Sequence, residues 1–233
     1  MYTIIALILI AITVVFTYNS KLAELRKKKP DFFNFGLTLV ATFVGVLFAM
    51  ELTNRAKFIS EEETVVKILD ATSIELTSNL EDALTYSEII PILLQKAETS
   101  TDSTNYLKTF FNSNSLETSR LFENLIDNEM VLRHISSFGL QIYTSKCKDL
   151  TLLRRGIYMD DATNESILLG YGFYIRVLKF AQNIITVEKA KIIEGIDEDE
   201  IKARYDRFSK EFSETQVMDM EQLKEFIKNM KLE

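Results

Sequence analysis

The sequence predicts an all-α membrane protein, with two N-terminal transmembrane helices followed by a helical-bundle soluble domain. Three observations predict it. Two apolar runs without a charged side chain lie within the first fifty residues. Glycine and proline are scarce, 7 and 2 among 233 residues, which leaves few turn signals for a many-stranded fold. Behind the apolar runs, hydrophobic residues recur at helical spacing between polar caps. Residues 1–53 form the two-span region and residues 54–233 the soluble domain.

The first run is MYTIIALILIAITVVFTY, and its span covers about residues 2–18. Its full length corresponds to about 27 Å of helix, close to the hydrocarbon thickness of a bilayer. It lacks a basic residue ahead of the apolar stretch and a small-x-small cleavage site after it, so it does not read as a signal peptide. The second span, residues 32–50, reads FFNFGLTLVATFVGVLFAM, and its only polar side chains are Asn34, Thr38 and Thr42. A soluble core helix of that length would carry a polar stripe. Asp31 and Glu51 mark its two ends.

Ala41, Gly45 and Ala49 repeat at intervals of four, with Thr38 and Thr42 beside them. Small residues so spaced let helix backbones approach closely in lipid, where packing and hydrogen bonds drive association. The stripe suits packing against the first span or against other copies of the chain. As a pore lining, Thr38 and Thr42 would supply hydroxyls and Glu51 a carboxylate ring at the mouth. Glu51 equally suits a plain span end beside Arg55. The first span, rich in Ile, Leu and Val, suits lipid.

Charge divides the chain. Of 27 Lys and Arg and 34 Asp and Glu, five basic and three acidic residues precede residue 54, leaving 22 and 31 behind, a net of −9. An acidic domain repels a phosphate backbone, so general nucleic-acid binding is not expected. The loop 19–31 carries Lys21, Arg26, Lys27, Lys28 and Lys29. By the positive-inside rule this loop belongs in the cytoplasm and the large domain outside. Arg26, Lys27, Lys28 and Lys29 also suit anionic lipid headgroups. The single cysteine, Cys147, excludes an intramolecular disulfide and favours a reducing compartment; it reads as a small core residue.

Ser60-Glu61-Glu62-Glu63 has the form of a capping box, so the membrane helix is expected to end near Phe58 or to pass a short joint. A second helix starts at Val65 and is interrupted at Pro91, and Glu98–Asn105 reads as a loop. Asn114 to Glu117 reads as a cap ahead of Leu121, Phe122, Leu125 and Ile126. One helix is expected over 130–157, then a polar connection at Asp160–Asn164. A long helix follows from Asn164 to Glu194, with Gly195 as its stop. Asp197 and Glu200 cap a helix through about Phe212, and Asp219 starts another. Gly170 and Gly172 inside the long helix imply close packing or a hinge.

No phosphate-binding glycine loop and no nucleophile elbow is present. The lone histidine, His134, argues against His-based metal centres and catalytic triads. Arg133 and His134 read as a surface pair, and Asp197–Glu200 as a helix cap rather than a calcium loop. An enzyme is therefore not expected, nor a cofactor or metal. Lys146, Lys148, Arg154 and Arg155 lie on one predicted helix, with Arg176 and Lys179 on the next. They form either an anion pocket for a phosphate or oligonucleotide, or a solvated basic face.

The segment FGLTLVATFVGVLFAMELTNR, followed directly by a charged helix, resembles in layout the small two-span membrane effectors of bacterial anti-phage defence. These include effectors associated with retrons and with nucleotidyltransferases. The resemblance covers mainly residues 30–80. It implies a cytoplasmic helical domain that senses a regulatory protein or a phosphate-bearing signal. It also implies membrane helices that assemble and breach the barrier. The basic loop departs from that placement. The expected function is an oligomeric, multi-pass effector of the cell membrane, acting as an ion channel or pore; the alternative is a membrane-anchored scaffold or sensor that does not conduct.

Overall fold

The computed structural model describes residues 2–18, 27–99, 106–114, 116, 119–159 and 162–214. Among these residues every regular element is a helix and none is a strand. The helices are α1 (Tyr2–Tyr18), α2 (Pro30–Thr99), α3 (Tyr106–Ser113), α4 (Arg120–Glu123), α5 (Glu129–His134), α6 (Ser137–Ile157), α7 (Asn164–Glu194) and α8 (Glu198–Glu214), with a 3-10 turn at Leu125–Asp127. The chain divides into two compact units, Met1–Glu63 and Thr64–Glu233.

In the first unit, α1 lies antiparallel to the start of α2. Ile12 and Thr13 share a crevice with Phe33, Leu37 and Val40. At the other end of α1, Ile5 and Leu9 border Val40, Phe43 and Leu47. Ala6 is fully buried on α1. Pro30 opens α2, where its missing N–H costs nothing, and Asp31 sits in the first turn, where the helix dipole favours an acid. The start of α2 is apolar and long enough to cross a bilayer, and α1 carries a shorter apolar stretch, Ile4–Val15.

Two expected interruptions of α2 do not occur. Ser60 lies in helical backbone and is exposed, so Ser60–Glu63 is a solvated helix surface, not a start. Pro91 is also inside the helix. Its cost, about 3 kcal/mol for a lost hydrogen bond and a ring clash, is met by the packing of its neighbours. Ile90 is buried, and Leu93 and Leu94 pack on the core.

In the second unit, the α2 residues Val65, Leu69, Thr72, Leu76, Ala83, Ser87 and Ile90 are buried at alternating spacings of three, four and seven, a heptad seam. The centre is α7, buried from Ile167 to Ala190 on more than one face. Thr163 caps its start, and Gly195 ends it with φ 69°, a left-handed conformation that glycine adopts without strain. Asn164–Glu194 thus has the expected bounds. α6 runs antiparallel beside it. A Cβ on Gly170 would meet Ile157 Cγ1 at 3.0 Å, which makes close packing, rather than a hinge, the reason for that glycine.

Other expectations are corrected. The helix expected over 130–157 breaks at Ile135 and Ser136, because Ser136 caps α6 through its side chain, accepting from Gly139 N at 2.8 Å. His134 is buried, 6% exposed, while Arg133 pairs with Glu129 at 2.7 Å, so the two do not form a surface pair. The helix expected after Asn114–Glu117 starts instead at Arg120, capped by Ser119. Asp197 does cap α8, accepting from Glu200 N at 2.8 Å. α2 extends to Thr99, so Glu98 and Thr99 belong to a helix. Residues 100–105, Asp160, Asp161 and Asp219 lie outside the described residues.

Candidate functional site

The first candidate site is the surface of α2 in the first unit. At about 3.6 residues per turn, three faces separate. Phe33, Leu37, Val40, Val44, Leu47 and Glu51 share the face toward α1, and each is half-buried. Phe35, Leu39, Phe43, Val46 and Met50 form a second face of large, exposed apolar side chains. Thr38, Ala41, Thr42, Gly45 and Ala49 form a third, about 140° around the helix from the α1 face. All five are exposed, and nothing lies within 4 Å of a Cβ built on Gly45.

Among the described residues, the small-residue stripe is therefore not spent on packing within this chain. It continues through Thr53, Ala56 and Ser60, all exposed, so the face runs about 33 Å along the helix. Thr38 Oγ donates to Asn34 O and Thr42 Oγ to Thr38 O, each at 2.9 Å. Those hydroxyls keep their lone pairs, not their protons, for a neighbour. Glu51 stands apart from this set. It shares the azimuth of Leu47 and Val44, on the side of α1, and forms no ion pair with Arg55 among the described residues. Lys27, Lys28 and Lys29 are exposed, whereas Arg26 lies outside the described residues.

The second candidate is the basic cluster, which the structure splits. Lys148, Arg154 and Arg155 are exposed on α6. Lys148 and Arg155, seven residues apart, share one face, about half a turn from Lys146. Lys146 turns inward, with a side chain only 13% exposed and an ion pair to Asp149 at 3.0 Å. Its Nζ lies 4.0 Å from the Phe212 ring centroid and 5.1 Å from that of Phe180. Arg176 stacks on Phe173 and Phe212 at 5.2 and 5.9 Å. Burial lowers the Arg176 pKa from its usual value. Arg176 and Lys179 line a cavity of about 200 Å³ with Phe180, Asn183, Phe208 and Phe212. The structure thus brings Lys146, Arg176 and Lys179 around Phe212, and leaves Lys148, Arg154 and Arg155 on the surface.

The aromatic partners were absent from the sequence reading. Their signal was there: Phe208 and Phe212 are four apart on α8, as are Arg176 and Phe180 on α7. Two carboxylates were also missed. Glu75 on α2 accepts from Ser119 Oγ at 2.9 Å, Arg120 N at 2.9 Å and Leu121 N at 3.0 Å, tying α4 to α2. Glu188, 1% exposed, accepts from Ser136 N, Ser136 Oγ and Tyr205 Oη at 2.7, 2.6 and 2.7 Å. It joins α7 to the start of α6 and to α8. No sequence motif marks either residue, because their partners are 17 to 52 residues distant.

No protein-family model matches this sequence, and comparison with curated proteins and with solved structures finds none that is similar.

Proposed function

We propose that the chain is an oligomeric, multi-pass effector of the cell membrane. Its apolar helices assemble into an ion-conducting pore, and its helical unit lies in the cytoplasm and controls them. The observation that carries this reading is the unoccupied face of Thr38, Ala41, Thr42, Gly45 and Ala49. A face of small residues turned away from the α1 face, flanked by large apolar side chains, is suited to helix association between copies in lipid. The layout it shares with two-span defence effectors supports an anti-phage role. The positive loop 19–31 weighs against the cytoplasmic placement.

The pore we propose differs from the simplest one. Glu51 and Thr42 lie on opposite sides of one continuous helix, so a lumen formed along the stripe has Thr38 and Thr42 at its wall and Glu51 outside it. The test is current across planar bilayers containing the full chain, together with membrane potential in cells that express it. Current that disappears in Gly45→Leu, with ion selectivity unchanged in Glu51→Gln, fits this pore. Loss of cation selectivity in Glu51→Gln would move the lumen to the other face. Silence in both assays would leave the non-conducting scaffold as the better reading.

A further inference from the structure

The flank of α2 between its α1 face and its large apolar face carries the strongest unassigned feature of the first unit. Two crevices lie along it, and they meet at Val40. The first, of about 270 Å³, is lined by Phe32, Gly36 and Val40 of α2 and by Ile12 and Thr13 of α1. The second, of about 360 Å³, has Ile5 and Leu9 on one side and Leu39, Phe43 and Leu47 on the other. Phe32, Gly36, Leu39, Phe43 and Leu47 fall within about 80° of one another around the helix, so the crevices form one groove, about 22 Å from Phe32 to Leu47. Nothing lies within 4 Å of a Cβ built on Gly36, so the groove is unfilled at that glycine. Among its described lining residues only Thr13 is polar, and its hydroxyl already donates to Leu9 O at 2.7 Å. The groove begins one helical turn after Lys29, whose carbonyl accepts from Phe33 N at 3.4 Å. Lys27, Lys28 and Lys29 are exposed and form no ion pair among the described residues, and Asp31 is the one acid in the first turn of α2.

We propose that this groove holds one acyl chain of an anionic phospholipid, whose phosphate is met by Lys27, Lys28 and Lys29. The proposal rests on the membrane reading of the first unit and not on conduction. A groove apolar along its length and cationic at one end matches an apolar chain with an anionic head. The part from Phe32 to Val40 runs about 12 Å, within the roughly 15 Å that one leaflet of hydrocarbon spans. A chain whose head lies beside the lysines therefore follows the first crevice and reaches the second. Only a segment of that chain enters, while the second chain of the lipid stays in the bilayer. The lysine stems lie along the apolar surface and carry their ammonium groups to the interface, each worth about fivefold in affinity for an anionic headgroup. A second copy of the protein is a poorer occupant. Phe32, Leu39 and Phe43, exposed by 70%, 50% and 59%, hold another helix backbone away, whereas the small-residue stripe, about 140° around α2, lets one approach. Copies joined along the stripe leave the groove facing lipid.

The full chain, stripped of lipid in detergent, would be titrated with phosphatidylglycerol, with phosphatidylcholine of the same acyl chains, and with glycerol phosphate. Native mass spectrometry counts what is bound. One phosphatidylglycerol per chain is expected to bind about tenfold more tightly than phosphatidylcholine, and glycerol phosphate should not bind up to about 1 mM. Gly36→Leu fills the crevice and suits a helix, so it should weaken phosphatidylglycerol binding about tenfold while helical circular dichroism is kept. Val46→Leu, on the large apolar face and lining neither crevice, should not change it. Lys27→Gln, Lys28→Gln and Lys29→Gln together should bring the two phospholipids within about twofold of each other. The site is overturned if the parent binds both phospholipids equally, if Gly36→Leu binds like the parent, or if glycerol phosphate binds as well as the lipid. An alkaline wash of membranes holding the full chain separates this site from the membrane reading beneath it. A chain that stays in the membranes yet binds both lipids alike overturns the site alone, and a chain that washes off overturns both.

Discussion

Glu188 shows how one buried side chain organises several elements. Three donors surround its carboxylate, from the backbone and hydroxyl of Ser136 and from Tyr205. Burial, then the neighbouring carboxylate, push the Tyr205 hydroxyl well above the usual tyrosine range, so it stays protonated and donating. Gly139 makes this arrangement possible, because a Cβ there would fall 2.0 Å from Glu188 Oε1. Gly139→Ala is therefore expected to lower stability by about 2 kcal/mol, the scale of overpacking or of breaking a buried hydrogen-bond network. Thermal denaturation of the full chain in detergent checks this. Gly156→Ala, where nothing lies within 4 Å of the added methyl, is the control and should leave the transition within error or raise it.

At the scale of the element, α2 carries two different periodicities. Its first part is apolar all round, and its second part buries a heptad seam of Val65, Leu69, Thr72 and Leu76 while exposing charge. A single helix serves both because the backbone is satisfied within the helix in either solvent. Its three faces near the start make a distinct prediction about assembly. Gly45→Leu fills the small-residue face and should reduce the mass of the detergent-solubilised particle. Leu39→Ala, on the large apolar face, should leave the mass unchanged. An unchanged particle in Gly45→Leu would show that the stripe does not join copies of the chain.

At the scale of the whole molecule, the proposed membrane effector raises the question of which side of the membrane would receive the acidic unit. The loop carries a cluster of lysines, whereas Arg55, Lys57 and Lys67 follow the second apolar segment. Cys147 is a poor reporter of sidedness. It is half-buried, and burial pushes its thiol up to about 11, so little thiolate forms at neutral pH. Exposed Asp206, replaced by Cys in a Cys147→Ser background, gives a reactive label on α8. For a cytoplasmic unit, a membrane-impermeant maleimide should leave intact cells unlabelled and should label the protein after the inner membrane is opened. Labelling with the inner membrane intact would place the unit outside, as the loop charges favour.

The sequence by itself determined what depends on local chemistry: the helical character, the apolar segments, the cap at Asp197 and the stop at Gly195. Periodicity and capping are written within a turn or two of the residue concerned, so α7 was legible at both ends. Ser60 and Pro91 misled for the complementary reason. Each is a genuine local signal, but helix continuity on either side, and the burial of Ile90 next to Pro91, outweigh it. The stripe of Ala41, Gly45 and Ala49 was visible in the sequence, yet its exposure away from α1 was not, because only packing decides which face a partner takes. The basic cluster was read as six residues on two facing helices, Lys146, Lys148, Arg154 and Arg155 on α6 with Arg176 and Lys179 on α7. Tertiary structure split that group, leaving Lys148, Arg154 and Arg155 on the surface and Lys146, Arg176 and Lys179 inward, and added Phe180, Phe208 and Phe212. Those partners lie on three helices, and side chains from distant helices meet only when the core that holds those helices has formed.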